Sequence, residues 1–413
     1  MTEPASVVLA IVRRAYSRRC MRILVWATTF GADLWSFTKY ADQRPDTDVT
    51  VVMDDPETFL QQGVADLFPL EATFVKRRWY HYAIGAAGFS PDVTIMDNRT
   101  PFLRTSPTAL MLWHGFGWKG PDSEKDLWWL HHSLWRTWGD ARRPNDRFRW
   151  QCFGPWDKEH RTEVSGMHPA NCRILGAASH DDLRTPLDRE KAQPYYPFDL
   201  TVRPTVLIAP TWHYGEVFAH WGTDDVLVDR LLAHLERRNT NVILRLHDAY
   251  RFSEEYRALL DDLADRYTNV MLKFKDEAPD NYLDLQVADV LITNYSSIAN
   301  LFYATRRPTI HVYPVRHADE AFMQRRYTLA GVRTSRVEKA RYTWKLPPED
   351  NGGLMARSFD DLIAQIDHSL DHPDCCKDKA QDFLDRHMLG ADGRVCERIW
   401  QTLDELTALS AGT

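Results

Sequence analysis

Short aliphatic runs alternate with longer amphipathic stretches along most of the chain. Runs of this kind are typical of strands buried on both faces of a parallel sheet, and the longer stretches, such as Glu254 to Tyr267, have the spacing of covering helices. The pattern therefore predicts an α/β protein with parallel sheets. We expect strands at Met21 to Trp26, Val49 to Met53, Val93 to Met96, Ala109 to Trp113, Cys172 to Leu175, Val206 to Ala209, Val242 to Leu246, Val270 to Phe274, Val290 to Thr293 and Thr309 to Tyr313.

A polar stretch with three prolines, from Asp188 to Pro204, divides this pattern into two halves. Because 413 residues of which 44% are apolar exceed one ordinary core, we expect two domains. Each half has the alternating order of strand, helix and strand that is typical of a Rossmann-like domain. The predicted units are an N-terminal Rossmann-like domain over 1–195, a C-terminal Rossmann-like nucleotide-binding domain over 200–390, and a terminal helix within 391–413.

Charge and cysteine content narrow the class of protein. The 58 acidic and 51 basic residues give a net charge of -7, which argues against a nucleic-acid-binding protein. The six cysteines are dispersed without metal-ligand spacing, as expected in a reducing cytosol. No run has the length of a transmembrane helix. The segment from Ser6 to Cys20 has the pattern of a short basic amphipathic helix on anionic lipid, and an ordinary first helix or leader is the alternative.

Four groups of polar and aromatic residues directly follow predicted strands, where ligands bind in open parallel sheets. The first group is Trp113, His114 and Gly115, with Lys119 shortly after. His114 stands where a general base would accept a hydroxyl proton, and the glycine permits close approach of a substrate to the backbone. A hydrogen-bonded structural histidine is the alternative.

The second and third groups follow the first two strands of the second half. Pro210, Thr211, Trp212 and His213 end one strand and could shape a nucleotide pocket, although a Pro-Thr turn is also a common strand terminator. Alternation along the next strand places Arg245 and His247 on one face, which suits a diphosphate. Arg245 could equally be a solvent-facing strand residue.

The fourth group is the strongest local signal. A strand ends at Asn294, and Ser296 and Ser297 open the following helix, which also contains Asn300. Hydroxyls and free amides at a helix start form a site for phosphate. The alternative, a serine that only caps the helix, is compatible with phosphate binding by the other serine.

Taken in order, these motifs resemble the CDP-glycerol glycerophosphotransferases, which build teichoic acids and related capsule polymers. The resemblance extends from about Ile95 to Trp400. The family's Trp-His-Gly motif with its following Lys resembles Trp113 to Lys119, and its Pro-Thr-Trp motif resembles Pro210 to Trp212. Its Leu-His motif resembles Leu246 to His247, and its Asp-x-Leu-Ile-Thr-Asp-Tyr-Ser-Ser motif resembles Asp289 to Ser297. Its closing Asp-Gly-Lys/Arg motif resembles Asp392 to Arg394, with Glu397 and Arg398 shortly after.

The chain departs from the family pattern at four positions. Asn294 and Asn300 stand where the family has acids, Asp248 replaces a proline, and His213 replaces a basic residue. An amide keeps the hydrogen-bonding capacity of a carboxylate but loses its charge, so contacts to ribose or polyol can differ.

The resemblance implies a GT-B fold, with two facing Rossmann-like domains, the active site between them and the terminal helix packed on the first domain. It implies attack of an acceptor hydroxyl on the β-phosphorus of a CDP-polyol with release of CMP, with His114 as base and His247, Ser296 and Ser297 on the diphosphate. The expected partners are this donor, a polyol-phosphate or glycan acceptor, and the inner face of the cell membrane. No metal is required, and a loosely bound Mg²⁺ is the alternative.

Two other functions stay open, namely a GT-B glycosyltransferase that uses a nucleotide sugar and a non-catalytic nucleotide-binding protein. A cluster of aromatic residues also allows several interpretations: an acceptor groove, a membrane interface or packing between helices. It comprises Trp113, Trp118, Trp128, Trp129, Trp135 and Trp138, with His131 and His132.

Overall fold

A computed structural model gives the architecture of the chain. It describes residues 20–28, 30–78, 90–113, 115–116, 123–211, 218, 221–246, 254–275, 277–278, 280–294, 296–313, 317, 319–328, 331–339 and 346–411. The segment from Ser6 to Cys20, apart from Cys20 itself, therefore lies outside the described residues.

The first half of the chain forms a seven-stranded parallel sheet with the order β3-β2-β1-β4-β5-β6-β7. The interior strand β1 is buried on both faces along Ile23 to Trp26, which are at most 1% exposed, and this accounts for the apolar run at these positions. The strands are β1 Met21–Trp26, β2 Thr47–Met53, β3 Thr73–Lys76, β4 Val93–Met96, β5 Thr108–Met111, β6 Phe148–Cys152 and β7 Cys172–Ile174.

The second half forms a six-stranded parallel sheet with the order β10-β9-β8-β11-β12-β15. A separate antiparallel pair, β13 and β14, follows β12 and was not expected from the sequence. The strands are β8 Thr205–Ile208, β9 Asn241–Leu246, β10 Val270–Phe274, β11 Val290–Thr293, β12 Thr309–Val312, β13 Phe322–Thr328, β14 Gly331–Val337 and β15 Leu354–Ala356.

Helices connect and cover both sheets, and none in the described part of the chain is long and apolar enough to cross a bilayer. They are α1 Ala32–Asp42, α2 Pro56–Leu60, α3 Gly63–Leu67, α4 Ser123–Thr137, α5 Pro155–Glu163, α6 Ala178–Leu183, α7 Arg189–Ala192, α8 Asp224–Arg237, α9 Glu254–Arg266, α10 Tyr282–Val287, α11 Ile298–Phe302, α12 Phe359–Asp371, α13 Lys377–His387 and α14 Val395–Ala411.

The sequence did not predict strand β6, because two polar residues, Arg149 and Gln151, interrupt its apolar pattern. The Gln151 side chain is buried and donates to Asp33 Oδ2 at 2.6 Å and to the carbonyl oxygen of Gly176 at 2.7 Å. Asp33 also accepts from the backbone N–H and hydroxyl of Ser179, at 3.0 and 2.7 Å. Burial raises the pKa of Asp33 although these bonds oppose the shift. The interior polar residues of β6 thus join helices α1 and α6 to the sheet.

The terminal helix α14 packs on the first domain, against α1, α6 and β5. The Asp181 carboxylate accepts from the backbone N–H groups of Val395 at 3.1 Å and Cys396 at 2.8 Å, which satisfies the start of the helix. Arg398 forms a bidentate pair with Asp392 and donates to the carbonyl oxygen of Leu175 at 2.9 Å. The closing motif of the chain therefore fastens α14 to the first domain.

Helix α13 reaches the first domain through a glycine. A Cβ atom on Gly154, at the start of α5, would lie only 2.1 Å from the carbonyl oxygen of His387 at the end of α13. This carbonyl group belongs to the backbone and cannot move aside for a methyl group as the end of a flexible side chain can. Gly154 is thus required for contact between these two helices.

We therefore expect Gly154→Ala to lower the free energy of unfolding by about 2–3 kcal/mol, because either α5 or α13 must move to admit the methyl group. Urea unfolding followed by far-UV circular dichroism measures this change. Gly222→Ala is the matched control, since its Cβ would meet only the end of the Leu227 side chain at 3.2 Å. Equal unfolding midpoints for the two variants would contradict this account of the interface.

Candidate functional site

The residues that follow β5 and β11 meet between the two domains. A Cβ atom on Gly115 would lie 3.1 Å from Ser297 Oγ, although the two residues belong to different sheets. Both residues were predicted to bind substrate from separate motifs. The fold brings these two motifs to a single point because the carboxyl ends of both sheets face the same cleft.

Trp113 and Gly115 are held from below by a buried arginine on α5. The Arg161 guanidinium lies 5.7 Å from the centre of the Trp113 ring and donates to the carbonyl oxygen of Gly115 at 3.2 Å. Its ion pair with Asp157, at 3.3 Å, is almost completely buried, and Trp113 also packs on Trp150 with ring centres 5.1 Å apart. These contacts hold Trp113 and Gly115 in place after the end of β5.

A small cavity of about 20 Å³ lies at this meeting point. The first domain supplies most of the wall and α11 closes the other side. Its lining is Gly31, Ala32, Asp33, Leu34, Asp97, Leu112, Trp113, Gly115, Phe116, Phe153, Ser297, Asn300, Leu301 and Met388.

A second cavity of about 50 Å³ continues into the second domain and shares Phe116 and Asn300 with the first. Aromatic rings and amide groups dominate its wall. The lining is Phe116, Asn294, Ser296, Ala299, Asn300, Tyr303, His311, Tyr313, Leu346, Pro347, Asp350, Asn351 and Phe383. Four residues of the Asn-Tyr-Ser-Ser motif and the helix after it were predicted to bind substrate and are described. Each of them lines at least one of the two cavities: Asn294, Ser296, Ser297 and Asn300.

His311 is fixed as a neutral hydrogen-bonding group at the back of this second cavity. Its Nδ1 donates to the carbonyl oxygen of Asn294 at 2.9 Å, and its Nε2 accepts from the Tyr303 hydroxyl at 2.7 Å. Burial lowers the pKa of His311 to about 4. Both ring nitrogens are therefore used to position the end of β11.

Asn294 connects the loops after β8 and β11. Its side-chain oxygen accepts from the backbone N–H of Thr211 at 2.9 Å, and both residues are buried. A carboxylate could accept the same bond, so the departure from the family's acid changes the charge beside the cavity and preserves this contact. The described part of this strand-end loop is Pro210 and Thr211.

The serines open a helix of only five residues, α11. The Ser297 hydroxyl makes no capping bond to the first turn, so the predicted alternative of a simple N-cap does not apply to it. The carbonyl oxygens of Ser296 and Ser297 accept from the N–H groups of Ala299 and Asn300 at 3.2 and 3.1 Å. Both serines are half-buried at the cavity walls.

The structure gives Arg245 a different role from the predicted diphosphate contact. Its buried guanidinium pairs with Asp284 at 2.9 Å and donates to the carbonyl oxygen of Ala278 at 2.6 Å, and it lines neither cavity. Lys273 and the Tyr196 hydroxyl also reach Asp284, at 2.6 and 2.7 Å. Burial raises the pKa of Asp284, but the two cations outweigh it and the pKa is lowered overall. Arg245 therefore balances charge inside the second domain.

Five predicted site residues lie outside the described residues: His114, Lys119, Trp212, His213 and His247. Their roles stay predictions. Their described chain neighbours, Trp113, Gly115, Thr211 and Leu246, lie at strand ends as expected.

Several polar residues of the cavities were not predicted from the sequence, among them Asp97 and His311. Asp97 directly follows β4, is buried, and accepts from the backbone N–H of Thr28 at 2.8 Å. The strand-end rule that found Trp113 would also have found this carboxylate. His311 lies inside the apolar run of β12, where a lone buried histidine is the only signal.

The six tryptophans of the aromatic cluster do not share one role. Trp113 and Trp138 are buried in the first domain, whereas Trp128, Trp129 and Trp135 project from α4 into solvent. Trp118 lies outside the described residues. None of the described tryptophans except Trp113 lines the two cleft cavities.

A larger cavity lies at the opposite edge of the first sheet, between α1 and α14. Met21, Asp46 and Asp92, at the amino ends of strands, form part of its wall. It contains none of the predicted site residues. Size alone is therefore a poor guide to the site in this molecule.

Taken together, two facing parallel-sheet domains with a cleft at their carboxyl edges define a GT-B protein, as the resemblance implied. Solved structures agree with this fold. The wall teichoic acid polymerase TagF matches 98% of this chain and 97% of its own with a TM-score of 0.65 at 14% identity. A UDP-GlcNAc 2-epimerase from Neisseria meningitidis, bound to UDP-GlcNAc, matches 93% of this chain and 99% of its own with a TM-score of 0.53 at 11% identity.

Sequence comparison confirms the resemblance to the CDP-glycerol glycerophosphotransferase family. Residues 188–319 match the family model described as CDP-Glycerol:Poly(glycerophosphate) glycerophosphotransferase. The teichoic acid ribitol-phosphate polymerases TarL and TarK of Staphylococcus aureus are 25% and 26% identical over 199 and 204 residues, or 48% of this chain. The matched region spans only 30% and 33% of these relatives, about a third of their length.

A histidine at the domain interface makes stability depend on pH. His180 on α6 is fully buried and donates from Nε2 to the carbonyl oxygen of Asn300 in the second domain, at 2.8 Å. Burial lowers its pKa to about 4 from the ordinary 6.5. The unfolded chain therefore takes up a proton as the pH falls below 6.5, whereas the folded protein does so only near pH 4.

We expect this histidine to make the free energy of unfolding fall by about 1 kcal/mol for each pH unit between 6.5 and 4. His180→Gln keeps a donor but cannot be protonated, so urea titrations across this range should show a slope smaller by that amount. His368→Gln, at an exposed position on α12, controls for loss of an imidazole. An unchanged slope in His180→Gln would mean that His180 is not buried in its neutral form.

Proposed function

We propose that this protein transfers a glycerol-phosphate or other polyol-phosphate unit from a CDP-linked donor to a hydroxyl of a cell-surface polymer or lipid-linked acceptor. The observation that carries this proposal is the approach of Gly115 to Ser297 across the cleft. The Trp-His-Gly and Tyr-Ser-Ser motifs of one transferase family thereby converge on one cavity. The matches to TarL, TarK and TagF, each named a teichoic acid polymerase, support the same class of reaction.

The reaction is a displacement at phosphorus. An acceptor hydroxyl oxygen attacks the β-phosphorus of the donor, and the bond from that phosphorus to the bridging oxygen breaks as CMP leaves. His114, which stands between Trp113 and Gly115 in the chain, takes the hydroxyl proton. Its chain neighbours Trp113 and Gly115 both contact Arg161, which supports a fixed strand end beside the proposed base.

The second domain holds the donor. Ser296 and Ser297 at the start of α11, with His247 after β9, contact the diphosphate and stabilise the charge that develops on CMP. The wall beside His311, Tyr303 and Tyr313 consists of aromatic and amide groups, which can stack on and hydrogen-bond to a nucleoside. Asn294 and Asn300 leave this wall without the negative charge of the family's acids, which favours binding of the anionic donor.

The donor is tested by incubating the purified protein with CDP-glycerol, CDP-ribitol and a panel of UDP-sugars, with and without a polyol-phosphate acceptor. We expect release of CMP from a CDP-polyol only when the acceptor is present. UDP release from a sugar nucleotide, with no reaction of CDP-polyols, would identify a glycosyltransferase. Binding of nucleotide without turnover of any donor would identify a non-catalytic protein.

Two variants separate catalysis from binding. His114→Ala should lower turnover by at least about 100-fold, the usual contribution of a general base, while the Kd for the CDP-polyol changes little. Ser297→Ala should weaken donor binding by about 1 kcal/mol, roughly fivefold, through loss of one hydrogen bond. Initial rates and isothermal titration calorimetry measure these effects. Full activity of His114→Ala would refute the assigned base.

A further inference from the structure

Strands β13 and β14 form an antiparallel pair that belongs to neither of the two large sheets. A separate pair of strands is only marginally stable in water unless other elements pack on it. Among the side chains of the pair that the structure describes, Val337 is buried, whereas Met323 and the run from Arg333 to Arg336 are exposed. The β13–β14 pair therefore adds little to the core, and its exposed side chains are available to a partner.

The β13–β14 pair leaves the wall of the second cavity and returns to it. Tyr313, which follows β12, lines that cavity, and so do Leu346 and Pro347, which come after the pair. Nine positions separate Tyr313 from the start of β13, and nine separate the end of β14 from Leu346. Because nine residues span at most about 30 Å, both ends of the pair lie within that distance of the cavity wall. The pair is thus tied to the cleft side of the second domain.

Basic residues dominate this part of the sequence. The segment 314–345, which contains the pair, has six arginines and two lysines but only one aspartate and two glutamates. Its net charge is +5 in a chain whose total is -7. Two of the three acids already have basic partners, Glu320 with His317 and Glu338 with Arg336, each at 3.2 Å. The positive charge of the segment is therefore not neutralised from within.

The register of the pair sets arginines close to one another. Arg326 lies directly opposite Arg333, and Arg325 and Arg336 are diagonal neighbours on the other face. Like charges at directly opposed positions destabilise a sheet, so this arrangement lowers stability unless an anion binds beside both residues. Each face of the pair thus has two arginines, a pattern that suits a ligand with several negative charges.

We propose that the β13–β14 pair binds the polyol-phosphate chain of the acceptor where this chain extends from the cleft. The inference rests on the proposed function, which supplies a polymer with one negative charge in each repeat. Guanidinium groups form paired hydrogen bonds with phosphate, and the hydroxyls of Thr334 and Ser335 can bond to those of a polyol. Contact with the pair therefore increases with the length of the acceptor.

Other anionic partners fit less well. A single-stranded nucleic acid also has phosphates, but it is held in addition by aromatic side chains on which its bases stack. A small anion such as inorganic phosphate would contact the arginines of one face and leave those of the other face exposed. No side chain that the structure describes on the pair is aromatic: they are Met323, Arg333, Thr334, Ser335, Arg336 and Val337.

Binding is tested with the full chain and a fluorescently labelled poly(glycerol phosphate) that is long enough to span the pair. Fluorescence anisotropy measures the Kd at several salt concentrations. The double variant Arg326→Gln, Arg333→Gln should raise the Kd at least about tenfold, because two groups that form charge-assisted hydrogen bonds are lost. Its Kd should also depend less steeply on salt than that of the unaltered chain, because fewer charges are paired.

The matched control removes the same charge from the amino edges of the two sheets. Arg143→Gln with Arg237→Gln replaces two exposed arginines that shortly precede β6 and β9, and it should bind the polymer as the unaltered chain does. Circular dichroism and thermal melting establish that the double variant is folded, and we expect no loss of stability because a repulsion is removed. If it is unfolded, Arg333→Gln alone carries the test, with a rise in Kd of about threefold.

Kinetics separate this inference from the proposed function. In the double variant, KM should rise at least about tenfold more for a long polyol-phosphate acceptor than for an acceptor of a single unit. If the unaltered chain transfers from no CDP-polyol, the proposed function fails, and the Kd for the polymer still tests the pair.

Any of four results would overturn the proposal. They are absence of polymer binding by the unaltered chain, equal affinity of the folded double variant, an equal loss of affinity in the control variant, and tighter binding of the unaltered chain to single-stranded DNA of the same length and charge. The last result would assign the pair to a nucleic acid.

Discussion

Direct packing of α10 and α11 of the second domain against α1, α3 and α6 of the first creates the cleft. The Tyr282 ring lies 4.7 Å from Trp35 and 5.7 Å from Phe68, so aromatic side chains of both domains share one core. Gln286 satisfies the polar groups around it, since it donates to the carbonyl oxygens of Asp182 and Thr185 and accepts from the N–H of Leu187. A buried and fully bonded contact of this kind holds the two strand edges at a fixed separation.

The contact between the two domains also brings the backbone of the first domain close to groups of the opposite wall at two glycines. Gly115 at the cleft and Gly154 below it each stand where a Cβ atom would meet the opposite wall, Ser297 Oγ in one case and the carbonyl oxygen of His387 in the other. The two glycines differ in the partner that they admit. At Gly154 a backbone group fills the space, whereas at Gly115 the neighbour is a hydroxyl that can also turn toward a ligand. The same residue type therefore serves packing at one position and the site at the other.

The sequence predicted best where a strand is a short and mainly aliphatic run. The bounds of β1, β4, β10 and β11 agree with such runs, each of which contains a single polar residue. Strand β6 was missed because Gln151 and Arg149 lie inside it, with partners such as Asp33 and Gly176 that only the fold brings near. Arg245 shows the same limit for the site. Its position on the strand was right, but its partner Asp284 lies 39 residues away and determines its role.

The buried histidines also restrict which residue can act as the base. His180 contacts Asn300 and His311 lines the second cavity, and both have a pKa of about 4 because burial disfavours their charged forms. A base with so low a pKa gains little from accepting a proton at neutral pH, and His311 uses both ring nitrogens in bonds within the second domain. The ring nitrogens of His180 and His311 instead donate hydrogen bonds to the carbonyl oxygens of Asn300 and Asn294. Neither of these two histidines is therefore suited to act as the base, and the assignment of His114 and His247 stays a prediction.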